Sequence, residues 1–164
     1  MDNDSILRQQ LVALLRGQQA HMPYDAAVAD FPLEAINREP AQVPYTPWHL
    51  LEHLRLAQWD ILDFIRNPNY SALHWPEDYW PERSQQADEA RWNATIAGFK
   101  ADQQALQDLV MNPSTDLTGD IPHAPGYNIL REILVVSDHN AYHIGEFAIL
   151  RQVMGTWPAN HGIK

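Results

Sequence analysis

The sequence predicts an all-α protein built as a four-helix bundle, and three observations lead there. Four segments, at roughly residues 5–19, 46–66, 84–111 and 127–154, carry apolar residues at spacings of three and four. Proline, asparagine and glycine separate them, and no stretch alternates as a strand would. Helices of similar length in a chain of 164 residues bury their apolar stripes most simply against one another, as a single domain spanning 1–164.

Each element has a local reason. Ser5 can cap the first helix, whose stripe is Ile6, Leu7, Leu11, Leu14 and Leu15, and Ala20-His21-Met22-Pro23 ends it. A short extra helix fits Tyr24 to about Asp30, before Pro32. Residues 37–45 contain Pro40 and Pro44 and read as a connection. Thr46 then suits an N-cap and Pro47 the first helical position, where a missing N–H is harmless. Leu50, Leu51, Leu54, Ile61, Leu62 and Ile65 form the core face of this second helix, which Asn67-Pro68 stops.

The connection over 67–83 is long and rich in tryptophan, tyrosine and proline. Its aromatics predict that it packs on the body, and its length lets the next helix run parallel to the last. Ser84 can cap the third helix, with Trp92, Ile96, Phe99, Leu106, Leu109 and Val110 inward. After Asn112-Pro113 and a polar segment comes the fourth, with Ile129, Leu130, Ile133, Leu134, Ile144, Phe147 and Ala148 in its buried rows and Gly155 at its end. The tail 159–164 reads as loose.

Composition narrows the chemistry. The 45% hydrophobic and 20% charged residues are a globular balance, and no run of 18 apolar residues exists to span a membrane. The acidic start does not resemble a signal peptide, so a soluble, cytoplasmic protein is expected. A formal charge of −10, from 11 basic and 21 acidic residues, argues against nucleic acid and anionic membranes as partners. Without cysteine there are no disulfides, thiolate ligands or thiol nucleophiles. Phosphate loops, dinucleotide fingerprints and nucleophile elbows are also missing.

What remains is histidine. His139 and His143 lie four apart in a helical stretch, so both rings share one face about a turn apart, the spacing by which one helix offers two imidazoles to a metal ion. Spacing alone is a weak motif, and two hydrogen-bonded core histidines would look the same. A second pair, His49 and His53, lies on the second helix and offers a third ligand. His49 falls in the first turn, where a solvent-exposed ring is expected. His53 lies deeper among core residues, and depth favours it. All four together would close a tetrahedral, structural site. Asp138 points about 100° from His139 and suits a solvated charge. Glu146, three residues after His143, and Glu52, next to His53, could stand near a metal, but a salt bridge to an arginine is the expectation for each. His21, His74, His123 and His161 carry no pattern, and the six tryptophans suit core or loop anchors.

Two of these stretches, Pro47-Trp48-His49-Leu50-Leu51-Glu52-His53-Leu54 and Asp138-His139-Asn140-Ala141-Tyr142-His143-Ile144-Gly145-Glu146, resemble the DinB-like (YfiT-like) family of bacterial metal-binding four-helix bundles. The resemblance extends over nearly the whole chain in helix order and length. It implies an up-down-down-up bundle, a homodimer, and a divalent metal (Zn, Ni or Fe) held by His53, His139 and His143, with His49 unassigned. It also implies a metal-dependent enzyme, as a thiol-dependent S-transferase using a low-molecular-weight thiol or as a hydrolase. A non-catalytic protein with a structural metal is the alternative of another class.

Overall fold

The helix that organises the chain starts where its sequence says it should. In the computed structural model, which describes residues 2–17 and 19–159, Thr46 is the N-cap and Pro47 the first residue of a helix ending at Arg66. The Thr46 hydroxyl accepts the His49 N–H at 3.2 Å, and the His49 ring accepts the Thr46 N–H at 3.3 Å. This is a capping box with histidine in the place usually taken by Glu or Gln.

In chain order the helices are α1 (Asn3–Arg16), α2 (Tyr24–Val28), α3 (Pro47–Arg66), α4 (Glu89–Met111) and α5 (Ile129–Met154). The main helix contacts run in a ring, α1 to α4 to α3 to α5 and back to α1. Trp48 bonds Thr95 near one end of the α3–α4 pair and Arg66 bonds Ala105 near the other, so these helices advance together. Arg16 meets Gln107 while Arg8 meets Val110, so α1 runs against α4. The chain is therefore mostly helical, as composition and periodicity imply.

Several boundaries differ from the sequence expectation, each for a local reason. Asp2, not Ser5, caps α1, because its carboxylate reaches the Ser5 N–H at 2.8 Å. The helix ends at Arg16 instead of near Gln19, with Gly17 taking the left-handed φ of 67° that favours glycine. Its buried stripe is Leu11, Val12 and Leu15, while Ile6 and Leu14 lie exposed to one side. On α5, Leu134 likewise faces outward.

The third long helix begins at Glu89, and its cap is Asp88, four residues after the expected Ser84. Here a tertiary contact decides. The Asn37 side chain bonds both the N–H and the carbonyl of Ala87, holding the chain extended until Asp88 can accept the Arg91 N–H. Strands are also present where none was expected. Asp120–Ile121 (β1) and Ala124–Asn128 (β2) form a small antiparallel hairpin, with Ile121 opposite Ala124. A two-residue strand beside a proline carries no alternation to read, and its stability comes from buried Leu117 and Ile121. The tail expected to be loose lies, from 160 on, outside the described residues, as does His161.

The core has two apolar clusters. One joins the N-terminal half of α3 to Phe99, Ile144 and Phe147. The other joins α1 and the C-terminal half of α3 to Leu106, Ile133 and Val136. Between them lies a polar layer. Gln58 is fully buried, donates to the Phe99 carbonyl at 2.7 Å and accepts from Asn140 at 2.9 Å. Polar groups at such depth need partners, and this layer supplies them. No helix among the described residues is long and apolar enough to cross a membrane.

Candidate metal centre

α3 delivers His53 and α5 delivers His139 and His143 to one place. The His53 Nε2 lies 3.2 Å from the Nε2 of His139 and 3.2 Å from that of His143. All three residues offer ligand atoms within 4.8 Å of one another, a group that can hold a metal ion. Two nitrogens bound at about 2.1 Å to one ion are separated by roughly 3.0–3.4 Å for bond angles between about 90° and 109°. The observed spacing falls inside that interval.

Proton positions sharpen the fit. The His53 Nδ1 lies 2.8 Å from the Tyr79 carbonyl, which only accepts, so Nδ1 carries the hydrogen and Nε2 a lone pair. The His143 Nδ1 lies 2.6 Å from Glu146 Oε2 and donates in the same way. Two bare Nε2 atoms therefore face each other across 3.2 Å. The His139 Nδ1 is buried without a partner. Should its proton sit on Nε2 instead, it would satisfy His53 and still leave the His143 lone pair facing another acceptor. A cation at the common point resolves this repulsion.

Burial closes the other escape, which is protonation. It pushes His53 down to about 4 and His143 down to about 3, with the neighbouring rings adding to the shift, and it also lowers His139. The rings are neutral at pH 7, the state in which imidazole binds metals. The sign for stability follows. Between the ordinary histidine value and these lowered ones, the unfolded chain binds more protons than the folded one, so stability falls as pH falls. The urea midpoint of metal-free protein is expected to drop from pH 7 to pH 4.5. A His53→Gln/His143→Gln double variant should show a shallower fall; an equal fall would assign the effect to other groups.

Around the three histidines stands an aromatic wall that no local sequence pattern places. Trp80 stacks flat on His53, with ring centroids 4.0 Å apart and 5° between planes. Tyr142 meets His143 edge-on, and Trp75 stands at the edge of His53; both are largely exposed and rim the site. The Tyr45 hydroxyl donates to Glu146 Oε1, so the carboxylate links Tyr45 to His143. The signal for Trp75, Tyr79 and Trp80 was the aromatic connection itself, read only as an anchor. Tyr45 carries no local signal. Beside these residues, between segment 36–45 and α5, lies a cavity of about 320 Å³ walled by Tyr45, Glu146, Tyr142, Val43 and Ile149.

The other expectations sort cleanly. His49 is buried, contrary to the exposed ring expected of it, because its Nε2 donates to the Gln85 carbonyl at 2.9 Å while Nδ1 serves the α3 cap. Both nitrogens are engaged away from the cluster. Glu52 turns toward α4, pairing with Arg55 and accepting the Thr95 hydroxyl. Glu146 pairs with no arginine, contrary to expectation, but with His143. Asp138 is exposed. His123 bonds the Phe64 carbonyl and His21 the Met22 carbonyl, both apart from the site.

Compared with protein-family models, curated proteins and solved structures, the chain matches none. What the chain itself provides is the arrangement of the three histidines and of Glu146 beside them.

That geometry makes Glu146 testable. A carboxylate on the far nitrogen of a ligand histidine orients the ring and strengthens it as a donor. Glu146→Gln keeps the shape and removes the charge, and a roughly 10- to 100-fold weaker divalent-metal affinity by calorimetric titration is expected. An unchanged affinity would reduce Glu146 to a packing role.

Proposed function

We propose that the protein is a divalent-metal-dependent enzyme of the DinB-like type, using His53, His139 and His143 as ligands and acting on small molecules, with thiol S-transfer as its reaction class. The observation that carries the reading is the approach of the His53 and His143 Nε2 lone pairs to 3.2 Å, a contact that two imidazoles both protonated at Nδ1 avoid unless a cation lies between them. The fold reading belongs to the same proposal: a four-helix bundle in up-down-down-up order, formed by α1, α3, α4 and α5. Its support is the ring of helix contacts and the shared direction of α3 and α4.

A bound divalent ion would lower the pKa of a coordinated water or thiol and so provide a nucleophile near neutral pH. The chain does the rest. Because His53, His139 and His143 are neutral, they would leave a bound ion's charge largely uncompensated, so the site would suit an anionic substrate group such as a thiolate. Glu146 offsets part of that charge through His143 and keeps its ring oriented. Trp80 covers one face of His53 against water, while exposed Trp75 and Tyr142 leave a way in. The cavity beside Tyr45 and Glu146 can take an apolar portion of a substrate. The S-transfer preference and the homodimer come from the family resemblance.

The test begins with elemental analysis of protein purified without an affinity tag, expected to find about one divalent ion per chain, because three imidazoles make one mononuclear site. The visible spectrum of the cobalt-substituted form should change when glutathione, bacillithiol, mycothiol or azide is added. A spectrum indifferent to all of them would favour a structural metal and a non-catalytic protein. Turnover of esters or amides without any thiol would favour hydrolysis. Static light scattering reads the dimer.

A further inference from the structure

We propose that Asp60 and Tyr79 are positioning residues that hold His53 as the tautomer presenting a bare Nε2 to the cluster. Asp60 sits seven residues after His53, two helical turns along the same face of α3, and is buried. Both of its carboxylate oxygens accept phenols from the following connection, Tyr70 at 2.9 Å and Tyr79 at 2.6 Å. Tyr79 closes a single 3-10 turn, Glu77–Tyr79, and its own carbonyl is the acceptor for the His53 Nδ1–H. One residue thus reports to α3 twice, through its side chain to Asp60 and through its backbone to His53.

The arrangement is selective in a way that simple anchoring is not. Apolar side chains would fasten the connection to α3 without burying a carboxylate, which loses hydration and here gains two phenolic hydrogen bonds in return. What the carboxylate adds is direction. The connection is exposed over residues 74–78, and its other hydrogen bonds there, between His74 and Asp78 and from the Tyr79 N–H to the Pro76 carbonyl, lie within the turn itself, so the Tyr79 phenol is what ties the turn to Asp60 on α3. With the phenol tied down, the Tyr79 carbonyl stays in the plane where only an Nδ1–H satisfies it. Trp80, the next residue, stacks on the ring and prevents it from flipping. Tautomer and orientation of one ligand are therefore set by the loop, and the loop by Asp60.

The proposal rests on the metal reading for its consequence alone; the tautomer is a property of the metal-free chain. Long-range 15N–1H correlation spectra of histidine-labelled, metal-free protein report it directly. Wild-type His53 is expected as a single species protonated at Nδ1. Tyr79→Phe, which removes one oxygen from a half-buried ring, and Asp60→Asn should each convert it to a mixture of both tautomers at pH 7. Tyr70→Phe, which leaves the Tyr79 bond in place, should have the smaller effect. Cobalt titration of the same proteins should show roughly 10- to 100-fold weaker affinity for Tyr79→Phe and Asp60→Asn, the range expected when a group orienting a ligand is lost.

A wild-type His53 protonated at Nε2 would overturn the proposal, as would variants whose tautomer matches wild type. If wild type binds no cobalt, the metal reading fails while the spectra still decide this one. If wild type binds cobalt and both variants match it in tautomer and affinity, this proposal fails alone. Asp60→Asn keeps the side-chain volume, so a folding defect in one variant leaves the other to report.

Discussion

Replacing His53 by alanine is expected to abolish stoichiometric divalent-metal binding, while His49→Ala leaves it intact. The two residues lie one turn apart on α3 and differ in what holds their nitrogens. His53 offers a free Nε2 to His139 and His143 at 3.2 Å, with Nδ1 committed to the Tyr79 carbonyl. Removing it takes away one of three ligands, and the loss in affinity should exceed the roughly 10- to 100-fold typical of losing an outer partner. His49 has no nitrogen to offer, since one caps α3 and the other holds Gln85. Its removal strands those buried groups, and a stability loss of about 1–3 kcal/mol with metal retained is expected. Metal content by mass spectrometry and urea denaturation of both variants check the pair together. Retention in His53→Ala and loss in His49→Ala would reverse the assignment.

Phe147→Ala is expected to destabilise the fold by about 3–5 kcal/mol, the range for emptying a buried aromatic site. Phe147 is fully buried in the apolar cluster that includes Leu54, Trp92 and Phe99, and its ring lies 5.5 Å from that of Phe31. It also stands one turn beyond His143 on α5, so the cavity opens directly beneath a proposed ligand. The urea midpoint at pH 7 measures the loss, and metal affinity should weaken with it. Val153→Ala, two turns further along and 67% exposed, should change stability by no more than about 0.5 kcal/mol. Equal effects at the two positions would mean that α5 does not pack as described.

Both predictions show what kind of information the sequence carries. Thr46-Pro47 and Asn67-Pro68 mark the ends of α3 because capping and chain-breaking act within a turn, and the structure keeps both ends. The His-x-x-x-His spacing on α5 fixes a shared face for the same reason, and depth within α3 favours His53 over His49, the ring that the structure brings to His139 and His143 being that of His53. The start of α4 is not legible locally because Asn37, fifty residues away from Ala87, decides it. The hairpin at 120–128 leaves no pattern because its strands are too short for periodicity.

The helical class, the α3 boundaries and the residue types able to meet a metal are written locally in the chain, since each depends on neighbours within a few positions. Long-range packing supplied the rest. It brought α3 against α5 so that three Nε2 atoms converge, turned Glu146 to His143 and Glu52 to Thr95, and laid Tyr79 and Trp80 over His53. Those choices depend on which faces pack together and on hydrogen bonds between residues far apart in the chain, and no local pattern encodes them.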